Sequence, residues 1–187
     1  MNDDLIFALD PSSQKTGYCF MNFSERIHEA GLLSAKKQMP AEIRIASMAD
    51  DLLTLLNRWQ PVTIIIETSS GKVNPRRHGG KGSGLAILGI AIGRLWGQVE
   101  LWKSTLPVED RMMVNVFLIR ENRWIAGRSK AERQQVIALT YPDYDASKDR
   151  GFDVSDAASF AQWFIRERQV RLAQYSIREI ATLGLLQ

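Results

Sequence analysis

The spacing of apolar positions changes along the chain, and each change marks a different element. Leu5 to Leu9 is an unbroken apolar run ending in Asp10, and it reads as a buried strand. Gly17 to Asn22 (GYCFMN) reads as its partner across a polar turn, and Ile27 to Leu33 as the third strand of a meander. Beyond Pro40 the period lengthens. Ile43, Ala46, Leu52, Leu53, Leu56 and Trp59 recur at helical spacing until Pro61 stops the pattern. Val62 to Ile66 (VTIII) is a β-branched run, as expected of a strand covered on both faces, and it ends in Glu67.

Residues 68–84, TSSGKVNPRRHGGKGSG, hold too much glycine and too little apolar character for a helix or strand and read as a loop. Leu85 to Leu101 resumes the helical period with apolar residues at 85, 88, 92, 95, 96 and 99. Met112 to Ile119 is a strand candidate. Ser129 to Tyr141 is a helix with Ala131, Val136 and Leu139 expected inward, and 142–152 is a loop. Val154, Ala157, Ala158, Ala161, Phe164 and Ile165 form another helical stripe, and the tail from Arg171 suggests one more amphipathic helix. The order β-β-β-α-β-α-β-α-α predicts an α/β fold: a mixed sheet, antiparallel meander plus parallel strands, flanked by helices. The expected organisation is one domain over 1–170 and a helical extension over 171–187.

Composition narrows the chemistry. Of 187 residues, 45% are hydrophobic and 24% charged, ordinary for a globular protein. No apolar run approaches the roughly 20 residues of a membrane span, and MNDDLIF begins acidic. The expectation is a cytoplasmic protein with no membrane partner. Cys19 is the single cysteine and there are two histidines, His28 and His78. That excludes a disulfide framework and sites of the Cys or His type, so any metal would be held by carboxylates, which favour Mg²⁺ or Mn²⁺. The net charge is +3. Its placement matters more than its size: Lys72, Arg76, Arg77 and Lys81 crowd one glycine-bearing loop free of acids. Arg120, Arg123, Arg128, Lys130 and Arg133 form a second group, with Glu121 and Glu132 among them.

Asp10 and Glu67 both stand directly after apolar strands, where open α/β sheets place their chemistry. Asp153 and Asp156, three apart at the start of a helix, can share one face, and Ala157, Ala158 and Ala161 let that helix lie close to a sheet. Singly, each acid has a plainer role: Asp153 as a helix N-cap, Asp156 as a first-turn acid, Glu67 as a polar strand end. Gathered together, four carboxylates would repel one another unless cations neutralise them. Two divalent ions about 3.5–4 Å apart meet that need and suit phosphodiester hydrolysis.

Four segments carry a family resemblance. ALDPSSQKTGY is similar to the ID-P-G-S-x-x-T-G-Y opening of the RuvC-type Holliday-junction resolvases, within the ribonuclease-H-like superfamily. IIIETSS resembles that family's strand ending in Glu, WIAGRSKAERQQV its G-x-G-x-A-x-K-x-x-V segment, and DVSDAASFA its D-x-x-D-A-x-x-x-A helix. The resemblance covers residues 5 to about 165, in family order. It implies a Mg²⁺-dependent endodeoxyribonuclease that resolves four-way junctions, with Asp10, Glu67, Asp153 and Asp156 as catalytic acids and ligands of two ions, Asp10 bridging them. Mn²⁺ is expected to substitute. It also implies 5′-phosphate and 3′-hydroxyl ends. A four-way junction offers two symmetric cuts, so a homodimer is expected. Lys72, Arg76, Arg77, Lys81, Arg123, Lys130 and Arg133 are the DNA-contact candidates, and Arg133 stands where the family tends to have Lys.

The chain also departs from the pattern. Ser12 stands where the family often has Gly, and Ser70 where some members carry a base-stacking Phe. The basic loop lacks the G-x-x-x-x-G-K-[ST] of a P-loop, and DYDASKDRGFD lacks the Gly and Glu placement of a calcium loop. Alternatives are a related nuclease acting on forks, flaps or RNA, a phosphotransferase, for which a second phosphate hairpin is missing, and a non-catalytic junction-binding module, which would lack an acid.

Overall fold

The computed structural model describes residues 2–69, 83–125 and 127–182. The loop residues Ser70, Lys72, Arg76, Arg77, His78 and Lys81 lie outside them. Strands β1 (Asn2–Asp10), β2 (Lys15–Asn22) and β3 (Ile27–Ser34) form the antiparallel meander. Strand β4 (Pro61–Thr68) then pairs parallel with β1, and β5 (Asn115–Arg120) pairs parallel with β4. The sheet order is β3-β2-β1-β4-β5. Helices α1 (Ala41–Trp59), α2 (Ser83–Thr105), α3 (Val108–Met113), α4 (Lys130–Thr140) and α5 (Asp153–Thr182) complete the fold. This is the mixed, helix-flanked sheet that the alternation of periods predicts.

Because side chains alternate along a strand, each central strand feeds two cores. Leu5, Phe7, Leu9, Ile64 and Ile66 face α1 and α2, whose Ile45, Met48, Leu52, Leu95, Val99 and Trp102 fill that layer. Ile6, Ala8 and Ile65 face the other way, onto Trp124, Ile137 of α4, and Ala157, Ala158, Phe160, Ala161 and Ile165 of α5. Asp10 and Glu67 continue the second set by parity. With Leu9 opposite Ile66 in the β1–β4 register, the next step carries both acids to one level on the α5 side.

Four expectations are corrected. Met112 and Met113 belong to α3 rather than to the following strand: Pro107 opens a turn whose Glu109 and Asp110 favour a helix N-terminus. Ala131 and Leu139 are exposed, and Val136 is half-buried, because α4 turns Arg133 and Ile137 inward. The tail from Arg171 is not a separate helix, since α5 continues without a break to Thr182. Finally, Gly84–Thr105 of α2 has the length and a mean hydropathy of 1.2 that a membrane span needs, with 22% of the stretch buried. Counting unbroken apolar runs overlooked it, because Arg94 interrupts the run. One side of α2, Ala91, Leu95, Val99 and Trp102, packs in the core, while Ile90, Trp96 and Leu101 stay exposed.

Candidate active site

The site lies at the carboxyl ends of β1 and β4, where the first turn of α5 crosses the sheet. Asp10 pairs across β2 with Gly17, and Gly17 is what lets α5 come close: a Cβ there would drive into the backbone carbonyl of Asp153. The entry to α5 is itself constrained. Phe152 has φ +65°, a left-handed conformation costly for a non-glycine residue, and its carbonyl accepts from the Asp156 N–H at 2.8 Å.

The N-cap role that Asp153 might have filled belongs to Asp149. That buried carboxylate accepts from the Val154 N–H at 3.2 Å, the Ser155 N–H at 2.8 Å and the Tyr144 hydroxyl at 2.7 Å. Asp153 and Asp156 are thereby released from capping. Asp149 escaped the sequence reading because it lies four residues before the helix, inside a loop whose fold the sequence does not reveal.

Each acid has its own surroundings. Glu67 Oε2 accepts from the Trp124 indole N–H at 2.7 Å. Asp156 is buried and accepts at Oδ1 from Arg133 Nε and Nη2, both at 2.8 Å, while Oδ2 meets the Lys130 ammonium at 2.7 Å. Asp153 Oδ2 is buried and makes no well-angled hydrogen bond; the Lys15 ammonium 2.6 Å away answers its charge. Asp10 is pushed up to about 7, by burial first and then by Asp156, with Lys130 opposing and Asp153 and Glu121 adding to the rise. Burial pushes Glu67 up to about 9, with Asp10 and Glu121 adding to it and the Trp124 N–H opposing. These mutual influences bring Asp10, Glu67, Asp153 and Asp156 into one electrostatic neighbourhood. As they stand, no three acids among the described residues close around a single ion position. The carboxylates of Asp153 and Asp156 are turned onto cations of the protein instead.

The sequence reading did not single out Lys15, Glu121, Trp124 or Asp149 for the site. Trp124 is buried, packed against Phe160, and lies 5.1 Å from the Arg133 guanidinium, so it is core and site at once. Glu121 had a usable signal: it stands two residues beyond Ile119, which pairs with Glu67, so strand parity brings it to the acids. Of the DNA-contact candidates described, Arg123 and Lys130 are exposed. Arg133 is 6% exposed, and its remaining amino group donates to the Arg128 carbonyl at 2.7 Å. Its guanidinium is committed inside the molecule rather than presented to a phosphate. Arg120 and Arg123 line an open cleft of about 710 Å³ between β5 and α5, together with Trp163, Phe164, Arg168 and Arg171.

Known proteins are similar to this chain in sequence and in fold. The chain is 23% identical over 169 residues to the crossover junction endodeoxyribonuclease RuvC of Desulforamulus reducens, covering 85% of this chain and 94% of that protein. In structure it resembles RuvC of T. thermophilus in complex with a Holliday junction substrate, with TM-score 0.62, 16% identity, and 88% and 96% of the two chains covered. The fold is that of the RuvC-type resolvases. A second T. thermophilus RuvC structure gives TM-score 0.58 at 17% identity, covering 88% of this chain and 96% of that one. The yeast mitochondrial Holliday junction resolvase gives 0.56 at 16% identity, covering 91% and 80%. No family model matches the chain. In this RuvC-type fold the β1 end, the β4 end and the α5 start are the places where the four motif acids fall.

Proposed function

We propose that this chain is a divalent-ion-dependent endonuclease that resolves four-way DNA junctions by paired phosphodiester hydrolysis, leaving 5′-phosphate and 3′-hydroxyl ends. The observation that carries the reading is the convergence of Asp10, Glu67, Asp153 and Asp156, remote in sequence, at one sheet end of a RuvC-type fold. The donor set suits hard cations: oxygen ligands only, and two half-buried carboxylates, Asp10 and Glu67, whose proton affinity is raised first by loss of water and then by the neighbouring acids. These four acids would hold two Mg²⁺ ions, with Mn²⁺ able to substitute. When bound, the ions would activate water for in-line attack and neutralise the charge developing on the departing oxygen.

The chain's own residues prepare the ground for that chemistry. Trp124 orients the Glu67 carboxylate, and Arg133, wedged between Asp156 and the Trp124 ring, fixes the Asp156 rotamer. Arg120 and Arg123 present exposed charge from the cleft between β5 and α5 to the phosphate backbone. Lys72, Arg76, Arg77 and Lys81 follow Glu67 directly in the chain and are assigned the same task. Two copies, one per cut strand, would act on each junction, in the cytoplasm of a bacterial or phage-infected cell.

The test is cleavage of labelled four-way junction, fork, flap and linear duplex side by side, with Mg²⁺ and with chelator. The junction should be cut preferentially and only with metal. Asp10→Asn should retain junction binding and lose about 10²-fold or more in cleavage. Equal cutting of linear duplex would remove the resolvase assignment, and an active Asp10→Asn enzyme would remove the metal role of Asp10. Preference for forks or flaps would favour the related branched-DNA nuclease.

A further inference from the structure

We infer that Lys15 and Lys130 are built-in counter-ions of the acid cluster, holding it together before divalent ions arrive and giving way when those ions bind. The inference rests on the nuclease reading above and adds to it a device for metal loading. Lys15 Nζ lies 2.6 Å from Asp153 Oδ2, and Lys130 Nζ lies 2.7 Å from Asp156 Oδ2. Each ammonium therefore sits against a carboxylate oxygen that a metal would need. Both lysines come from outside α5, one from the start of β2 and one from the start of α4, so together they tie the α5 first turn to its neighbours.

Three features distinguish these contacts from ordinary surface pairs. The acid side chains are only 16% and 3% exposed while those of the lysines are 36% and 49% exposed, so each ammonium has a path back to water. Arg133, which shares Asp156, is 6% exposed and cannot leave in the same way. The Lys15 contact is also built for. The Ser12 hydroxyl donates to the Lys15 carbonyl at 2.5 Å and accepts from its N–H at 3.1 Å, fixing the turn that aims the side chain. Gly151 leaves room above the pair, since a Cβ there would strike both the Lys15 ammonium and the Asp153 carboxylate.

The physics is competition. Without metal or the two lysines, Asp153 would stand unpaired and Asp156 would have Arg133 alone, both beside Asp10 and Glu67, and the ammoniums relieve that repulsion. An arriving ion must displace them, so the protein's own cations oppose metal binding and keep the site from loading at low ion concentration. Once displaced, the lysines remain tethered at the rim of the site.

The experiment is Mn²⁺ binding, followed by calorimetry and by loss of the free-ion spin-resonance signal. It uses the full chain and its Lys15→Met, Lys130→Met, Lys15→Gln, Lys130→Gln and Asp10→Asn variants, without DNA. Each lysine variant should bind Mn²⁺ about threefold to tenfold more tightly than the parent. In chelator each should melt at a lower temperature than the parent and gain more on Mn²⁺ addition. The glutamine variants keep a neutral hydrogen-bond donor and guard against loss of folding in the methionine ones. Parental or weaker Mn²⁺ affinity in folded lysine variants, with Asp10→Asn impaired, overturns the counter-ion role alone. A parent that binds no Mn²⁺, or an Asp10→Asn variant that binds it normally, overturns the nuclease reading and this inference with it.

Discussion

Asp10 and Glu67 share a half-buried corner in which no ion pair reaches either carboxylate among the described residues, so their ionisation is paid for by the fold. The sign of the effect follows from linkage. Their ordinary values are 3.8 and 4.5, and the folded chain raises them to about 7 and about 9, burial being the first cause for both. A raised folded value means the native state holds its protons more tightly than the unfolded chain does. The resulting stability is complete below pH 4 or so and drains away as pH rises through the folded values. In chelator, the melting temperature should therefore fall steadily between about pH 5 and pH 9. Mg²⁺, which requires ionised ligands, should restore it most at the alkaline end. A melting temperature that stays level across that range in chelator would mean the two acids are not buried together. Neighbouring Trp124 shows how residue-scale roles overlap: one ring fills the core, supports Arg133 and donates to Glu67.

At the scale of elements, the site depends on how closely α5 approaches the sheet. The Gly17 position on β2 is where the Asp153 backbone passes, and the alanines at 157, 158 and 161 continue the close packing. Gly17→Ala should destabilise by about 1–3 kcal/mol in urea denaturation, the usual cost of overpacking, and should weaken metal binding by shifting Asp153. An unchanged midpoint would show that α5 moves aside freely. Most of the elements were legible because their periods are clean: the VTIII run, the helical stripe from Ile43 to Trp59, and the apolar strand before Asp10. The four motif acids were legible for a related reason, since strand ends and a helix start announce themselves in sequence. Lys15, Glu121 and Asp149 were not. Each acts through register or loop geometry, which local pattern does not encode: Lys15 lies opposite Ser34 in the β2–β3 ladder yet reaches Asp153, 138 positions further along. Leu139 misled for the converse reason. Helical spacing nominated it for the core, but the need to bury Arg133 against Asp156 rotated α4 and left it outside.

The whole molecule presents a different asymmetry. Apart from Leu139 and the open cleft beside β5, the α4–α5 layer covers its side of the sheet, whereas the α1–α2 layer leaves Ile43, Ile90, Trp96 and Leu101 facing outward. On α2 the glycines at 89, 93 and 97 recur every four residues, and a Cβ on any of them would meet only open space. Such a face admits a close-packed helix, and apolar exposure of this kind marks an interaction surface. The occupant most consistent with junction chemistry is a second copy of the chain, because a four-way junction must be cut at two symmetry-related strands and each copy carries one acid cluster. Dimerisation through α2 would also give a use for the part of this long apolar helix that the core leaves exposed. Leu101→Glu places a charge on that face without touching the acids. It should weaken dimer association by tenfold or more, on the order of the cost of burying an unpaired charge at an interface, as read by sedimentation velocity. On a supercoiled plasmid bearing an extruded cruciform, the variant should produce nicked circles where the parent produces linear molecules, because paired cutting needs both copies seated at once. A Leu101→Glu chain that sediments like the parent and still linearises the plasmid would place the partner surface elsewhere.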